Sequence, residues 1–143
     1  GRSLIAEAGI LVTKVIRNKK TNEKKFVIID AAMNNLIRPT LYDAYHKIEP
    51  VQENDRSQVL VDVVGPICET GDYIALNRKI NRINDNELLV IKTTGAYASV
   101  MSSNYNARPD AKEIMVYNNQ DYLIKNTETI TEIISKENTI ELD

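Results

Sequence analysis

Apolar residues recur along this chain in short alternating blocks separated by polar or turn-forming stretches. Residues 4–16 are rich in Ile, Val and Ala and alternate at Ile10, Val12 and Lys14. This predicts one or two strands, with Gly9 marking a bulge or a close backbone approach. The polar residues 17–24 predict a turn, and Phe26-Val27-Ile28-Ile29 a second strand ended by Asp30, completing an antiparallel hairpin. Residues 31–41 break the pattern. Asn34-Asn35 favours a turn, and Pro39 confines Arg38 to extended geometry while removing a ladder donor. A further strand is expected over residues 43–48, a polar loop over 50–57, and a strong strand over 59–64, stopped by Gly65-Pro66. Gly71-Asp72 opens a short connection towards Tyr73, Ile74 and Leu76. Residues 81–87 form a polar turn before the central strand Leu88-Leu89-Val90-Ile91, and residues 96–103 suit a short helix. Residues 113–117 and 121–125 pair across Asn118-Asn119. Apolar positions 130, 133 and 134 predict a short amphipathic helix within 127–134, capped by Thr127 or Asn126.

Seven or so short strands with almost no helix favour an antiparallel barrel or sandwich over an alternating α/β domain. The expected class is all-β: a Greek-key-like antiparallel β-barrel or sandwich with one or two short helices. The sequence shows no internal repeat and no low-complexity tract.

Composition narrows the possible partners. Eighteen Lys and Arg against 20 Asp and Glu leave a formal charge of -2, which gives no reason to expect nucleic acid as a partner. The basic run Arg17-Asn18-Lys19-Lys20 reads best as a solvated hairpin tip. No apolar stretch reaches bilayer-spanning length, so no membrane partner is expected. The single cysteine, Cys68, forbids an intrachain disulfide and is consistent with a reducing compartment. Gly1-Arg2 precedes the regular apolar pattern without a signal-peptide signature, which suggests a chain cut from within a larger protein.

Polar chemistry collects at the predicted strand ends. Arg38 and Tyr42 pair a planar guanidinium fork with a phenol, a combination suited to a carboxylate or to a simple surface pair. Cys68 and Glu69 follow the Gly65-Pro66 break; a thiol there is either a proton donor beside an amine-binding carboxylate or a small buried hydrophobe. Tyr97, in Gly95-Ala96-Tyr97, suits a phosphate, a flat cofactor or ordinary packing. His46 is the only histidine, so a multi-histidine metal site is excluded, and a half-exposed strand position is expected for it. No phosphate-binding, dinucleotide or zinc-finger pattern occurs, and no nucleophile elbow.

The ordered set of short motifs resembles the C-terminal domain of bacterial diaminopimelate decarboxylases. It comprises Gly1-Arg2-Ser3, Met33-Asn34-Asn35-Leu36-Ile37-Arg38-Pro39, Leu41-Tyr42, Tyr45-His46 and Val64-Gly65-Pro66-Ile67-Cys68-Glu69. Gly71-Asp72, Gly95-Ala96-Tyr97, Ser103-Asn104-Tyr105-Asn106 and Arg108-Pro109 complete it. The resemblance covers nearly the whole chain and implies that residues 1–143 are a C-terminal β-domain. The N-terminal (β/α)8 domain, whose lysine binds pyridoxal 5'-phosphate covalently, would then be absent from this chain.

That resemblance implies a cytoplasmic lyase of lysine biosynthesis that converts meso-2,6-diaminopimelate to L-lysine and CO2. It implies a homodimer whose active site is shared between subunits. Arg2, Arg38 and Tyr42 resemble substrate-carboxylate ligands, Glu69 the group that recognises the distal amine, and Cys68 the proton donor after decarboxylation. Gly1 and Tyr97 resemble cofactor-binding residues, Gly1 near the phosphate. No metal site is implied. The competing expectations are a decarboxylase of the ornithine or arginine type, and a chain that acts only as a dimerisation or folding module. The isolated chain, lacking the cofactor lysine, is expected to be inactive.

Overall fold

Thr13 and Val15 turn inward while Val12, Lys14 and Ile16 turn outward, so the period-2 pattern sets the first strand against a core. In the computed structural model, which describes residues 1–140, this strand is β1, Ile10–Lys20. It pairs antiparallel with β2, Lys25–Ile29, in the register Val15↔Ile29 to Lys20↔Lys25. The remaining strands are β3 (Ile48–Pro50), β4 (Gln58–Val64), β5 (Tyr73–Asn81), β6 (Leu88–Lys92), β7 (Glu113–Tyr117) and β8 (Gln120–Lys125). The helices are α1 (Arg2–Ile5), α2 (Arg38–Tyr42) and α3 (Ile130–Ile134).

The chain divides into two units, Gly1–Ser102 and the part from Ser103 onward. The first unit holds a six-stranded sheet in the order β3-β6-β1-β2-β4-β5. Its core is built from Val15, Val27, Ile29, Val63, Leu89 and Ile91, each at most 1% exposed. The two edges of the sheet approach one another. Arg78 of β5 donates from Nη1 to the carbonyl oxygen of His46, just before β3, at 2.7 Å, and its guanidinium carbon sits 4.0 Å from the centre of the Tyr45 ring. The result is the expected mostly-β, nearly closed barrel or sandwich.

The sheet is not wholly antiparallel. β2 and β4 run parallel, Phe26 opposite Asp62 and Ile28 opposite Val64. The long connection from Asp30 to Ser57 carries the chain back to the starting end, as a parallel pair requires. Where β4 meets β5 the register shifts at Asp62. The buried Asp62 carboxylate accepts from the Asn77 amide at 2.7 Å and pairs with Lys24 Nζ at 2.7 Å. Asn77 has φ 49, a left-handed conformation that asparagine tolerates.

Several sequence expectations are corrected. Residues 4–8 are not strand: α1 and a 3-10 turn over Ala6–Ala8 precede β1, and Leu4 and Ile5 lie exposed. β1 continues through Lys20, so only Thr21–Lys24 turn, closed by Thr21 Oγ1 accepting the Lys24 amide at 3.0 Å. Residues 43–47 are not strand either, and the only ladder near that position is the short β3. Residues 96–103 hold one 3-10 turn, Ser99–Met101, in place of an α-helix. Among the described residues there are three short α-helices where one or two were expected.

In the second unit, β7 and β8 pair across Asn118-Asn119 as expected. Both asparagines have positive φ, 49 and 58, as a two-residue hairpin turn of this hand requires. α3 begins one turn later than expected. Its cap is Thr129, which accepts the Glu132 amide while Glu132 accepts the Thr129 amide, so Thr127 and Asn126 do not cap it.

Candidate functional site

The strand registers place four connections at one rim of the sheet. β1 begins opposite the end of β6, Ile10↔Lys92; β2 ends opposite the middle of β1, Ile29↔Val15, heading towards that same end; β4 runs parallel to β2. The segments before β1, after β2, after β4 and after β6 therefore share that rim. They carry every residue singled out from the sequence for binding or catalysis.

The segment after β2 is shaped from its own residues. The Ala32 carbonyl accepts from the amides of Asn35 (2.9 Å) and Leu36 (3.1 Å), while the Asn35 side-chain oxygen accepts the Ala32 amide at 3.1 Å. Leu36 is 0% exposed and anchors the turn in the core. Thr13 Oγ1 donates to Asp30 Oδ1 at 2.5 Å and accepts the Ala31 amide at 3.0 Å, which fixes where the segment leaves β2. Arg38 then opens α2 and is not extended. Pro39 sits in the first helical turn, where its missing N–H leaves no bond unmade.

α2 puts Arg38 and Tyr42 one turn apart on the same face. The Arg38 guanidinium carbon lies 5.6 Å from the centre of the Tyr42 ring and 5.4 Å from that of Tyr97. Two aromatic faces thus hold the planar cation in place, and its edge N–H groups keep their capacity for a carboxylate. Tyr97 is 44% exposed and has φ 64. A bulky residue in the left-handed region costs on the order of 1–3 kcal/mol, and such strain concentrates at functional positions.

Close backbone packing ties the segment before β1 to the one that carries Tyr97. A Cβ added to Gly9 would lie 2.3 Å from the Gly95 Cα, and one added to Gly95 would lie 2.0 Å from the Ile5 carbonyl oxygen. The expected close approach at Gly9 is thus an approach to Gly95. Thr94 and Gly95 donate their amides to the carbonyls of Gly9 and Ala6, each at 2.9 Å. This docks α1, and with it Arg2, beside the Tyr97 turn. Gly1 is exposed, and a Cβ built there meets nothing within 4 Å, so the chain itself does not demand glycine at that position.

Cys68 is exposed, which removes the alternative of a small buried hydrophobe. Glu69 is exposed beside it and accepts the Gly71 amide at 3.1 Å through Oε1. Thr40 of α2 donates from Oγ1 to the Gly71 carbonyl at 2.5 Å, so the Cys68-Glu69 turn is fastened to the helix that carries Arg38.

Two residues at this rim carry more structure than their motifs suggested. His46 is 3% exposed and precedes β3, so it is neither half-exposed nor within a strand. Its Nδ1 donates to the Lys92 carbonyl at 3.0 Å. Burial, and less strongly the nearby Arg38 and Arg78 cations, push its pKa below the ordinary histidine value. Asp72 is 4% exposed and accepts two backbone amides, Met33 at 2.7 Å and Ile67 at 2.7 Å. Only its place in the Gly71-Asp72 motif marked it in the sequence.

A cleft of about 530 Å³ opens at the opposite rim, lined by residues that include Lys20, Phe26, Val61 and Ile83. None of the expected site residues lines it.

This rim, with its stacked arginine, exposed thiol and adjoining carboxylate, sits in a fold that comparison assigns to a known class. The family described as pyridoxal-dependent decarboxylase, C-terminal sheet domain, matches residues 4–95, and the chain belongs to it. More particularly, the chain matches the C-terminal sheet domain of bacterial diaminopimelate decarboxylases. It is 47% identical over 141 residues to the diaminopimelate decarboxylase of Zymomonas mobilis, covering 99% of this chain and 33% of that protein. It is 48% identical over 134 residues to that of Aquifex aeolicus, covering 94% and 32% respectively. The crystal structure of the M. jannaschii diaminopimelate decarboxylase in complex with L-lysine superposes with a TM-score of 0.94 at 35% identity, over 98% of this chain and 32% of that one. The chain spans about a third of the length of the curated relatives it matches.

Proposed function

We propose that this chain is the C-terminal β-domain of a diaminopimelate decarboxylase, a homodimer that converts meso-2,6-diaminopimelate to L-lysine and CO2. Its site would be completed by a (β/α)8 domain bearing the cofactor lysine. The observation that carries the proposal is the convergence of Arg38, Tyr42 and Tyr97, with the Cys68-Glu69 turn fastened to the same helix through Thr40.

The substrate is a zwitterion at both ends, and the rim offers groups of matching charge. Arg38 presents a fork to a carboxylate, with the Tyr42 phenol as a second donor, and Arg2 brings another cation on α1. Glu69 is an acceptor for the distal ammonium. Cys68 is the proton donor to the α-carbon once CO2 has left, and its exposure on a turn lets it reach a site completed by another subunit. The single exposed thiol, with no other cysteine in the chain, suits a reducing, cytoplasmic setting.

The residues present fit pyridoxal 5'-phosphate at the near side of this rim. Tyr97 offers an exposed phenol and ring held by a strained backbone, and Gly1 lies on the segment docked beside the Tyr97 turn. When bound, the cofactor supplies the electron sink that makes loss of CO2 feasible. Tyr97 and Gly1 would hold it, while Arg38, Glu69 and Cys68 act on the substrate.

The test is an assay of the full-length enzyme, loaded with cofactor, for lysine and CO2 from meso-diaminopimelate, with ornithine as competitor. Release of both products with preference for diaminopimelate is expected. A folded, cofactor-loaded enzyme that produces neither, or that prefers ornithine, overturns the assignment.

A further inference from the structure

We infer that Asp72 is a positioning residue for decarboxylation, setting the separation between the carboxylate-binding arginine and the proton donor. The inference rests on the function proposed above and goes beyond it to a residue with no part in contacting substrate.

Asp72 closes the turn that follows β4 and is 4% exposed. Its two carboxylate oxygens serve two different segments. Oδ1 accepts the Met33 amide at 2.7 Å, at the start of the stretch that leads through Leu36 to Arg38. Oδ2 accepts the Ile67 amide at 2.7 Å, in the residue immediately before Cys68. One rigid planar group therefore spans both sides of the site. Its own backbone is fixed as well: its amide donates to the Glu69 carbonyl at 3.0 Å, and its carbonyl accepts the Gly65 amide at 3.1 Å. Gly65 is the residue that admits the carboxylate, since a Cβ there would lie 2.4 Å from Oδ2 and 2.6 Å from Oδ1.

Amide N–H groups held by an ionised carboxylate make short, strong bonds, and a buried amide left without one is costly. Reaction between groups on two loops depends on their separation, and a misplacement of about 1 Å costs on the order of a hundredfold in rate. Thr40 makes a second link between the same two segments, through the Gly71 carbonyl. It joins main chain to side chain at the surface of α2, whereas Asp72 fixes the main chain of both loops from beneath.

The experiment uses the full-length holoenzyme with Asp72→Asn, which keeps the shape but turns an N–H2 towards one of the two amides. Gly65→Ala is the second variant; it retains every polar group and displaces the carboxylate. Steady-state kinetics with meso-diaminopimelate, at a temperature well below both melting points, are expected to show kcat lowered at least tenfold and KM raised at least threefold in each. Backbone hydrogen exchange is expected to quicken in residues 31–42 and 65–71 while β1 and β6 stay protected. A drop in melting temperature with kcat and KM within twofold of wild type overturns the inference, because support of the fold alone moves only stability. Should both variants fail to fold, exchange in the wild-type enzyme decides. The Met33 and Ile67 amides are expected to be slow and to open together, and exchange of either at the rate of a free loop amide overturns the inference. If the wild type is inert towards diaminopimelate, the substrate assignment fails, and the exchange measurements still decide the role of Asp72.

Discussion

The Arg38 guanidinium carbon stands 5.4 Å from the centre of the Tyr97 ring, although the two residues leave the sheet on different connections. Tyr42, one helical turn along α2, flanks the same cation. The orientation of the arginine is thus set by two rings before any carboxylate arrives.

Replacing Arg38 tests that pre-set geometry. In the full-length enzyme, Arg38→Ala is expected to remove about 2–5 kcal/mol of transition-state binding, the range for losing one partner of a buried charged contact. Arg38→Lys restores the charge without the fork and is expected to recover only part of kcat/KM. Steady-state kinetics on the pair check this; equal activity of Arg38→Lys and wild type would show that the fork is irrelevant.

Cys68 and Glu69 should separate in their kinetic effects. Cys68→Ala removes the proposed proton donor and is expected to lower kcat by about 10²–10⁴-fold with little change in KM. Glu69→Gln removes the proposed partner of the distal ammonium and is expected mainly to raise KM. Kinetics that leave both parameters normal in both variants would refute the assigned roles.

Gly95→Ala probes the docking of α1. The added methyl would lie 2.0 Å from the Ile5 carbonyl oxygen, with no flexible side chain available to yield. Overpacking of this kind is expected to destabilise by about 1–3 kcal/mol, or to detach the segment that carries Arg2. Thermal melting together with proteolysis before Ile10 distinguishes the two outcomes, and an unchanged melt with an intact terminus would contradict the packing described.

His46 gives the fold a pH dependence of definite sign. Its folded pKa lies below the ordinary 6.5 because burial, with Arg38 and Arg78 nearby, opposes its protonation. Between the two values the unfolded chain binds the extra proton, so the stabilisation is complete above about 6.5 and falls as pH drops towards the folded value. His46→Gln is expected to lose less melting temperature than wild type between about pH 7.5 and 5.5. Identical losses in the two proteins would rule His46 out as the source.

Much of the sheet was legible because short apolar runs of strand length are bounded by turn residues, as in β2, β4 and β6. The misplacements have physical causes. Residues 4–8 carry apolar side chains that the first unit does not bury, so local helical preference sets their structure, with Leu4 82% exposed. At Arg38 the steric bias of a residue before proline towards extended backbone is overridden by the helix, whose opening turn tolerates the missing N–H of Pro39. The Arg38–Tyr42 pair could be inferred from spacing alone once α2 was known; the addition of Tyr97 depends on β6 lying beside β1, which no local pattern encodes. Asp72 was the hardest to see. Its partners are main-chain amides of distant residues, and any residue type supplies those.

The gathering of the candidate residues at one rim leaves the far rim under different constraints. There the Thr21–Lys24 hairpin and the Asn84–Glu87 turn close the strands with their own polar bonds, including Glu87 accepting the Asn84 amide at 2.9 Å. Sequence drift or a grafted peptide at the hairpin tip would lie a full strand length from the chemistry, making it the natural place to attach a probe.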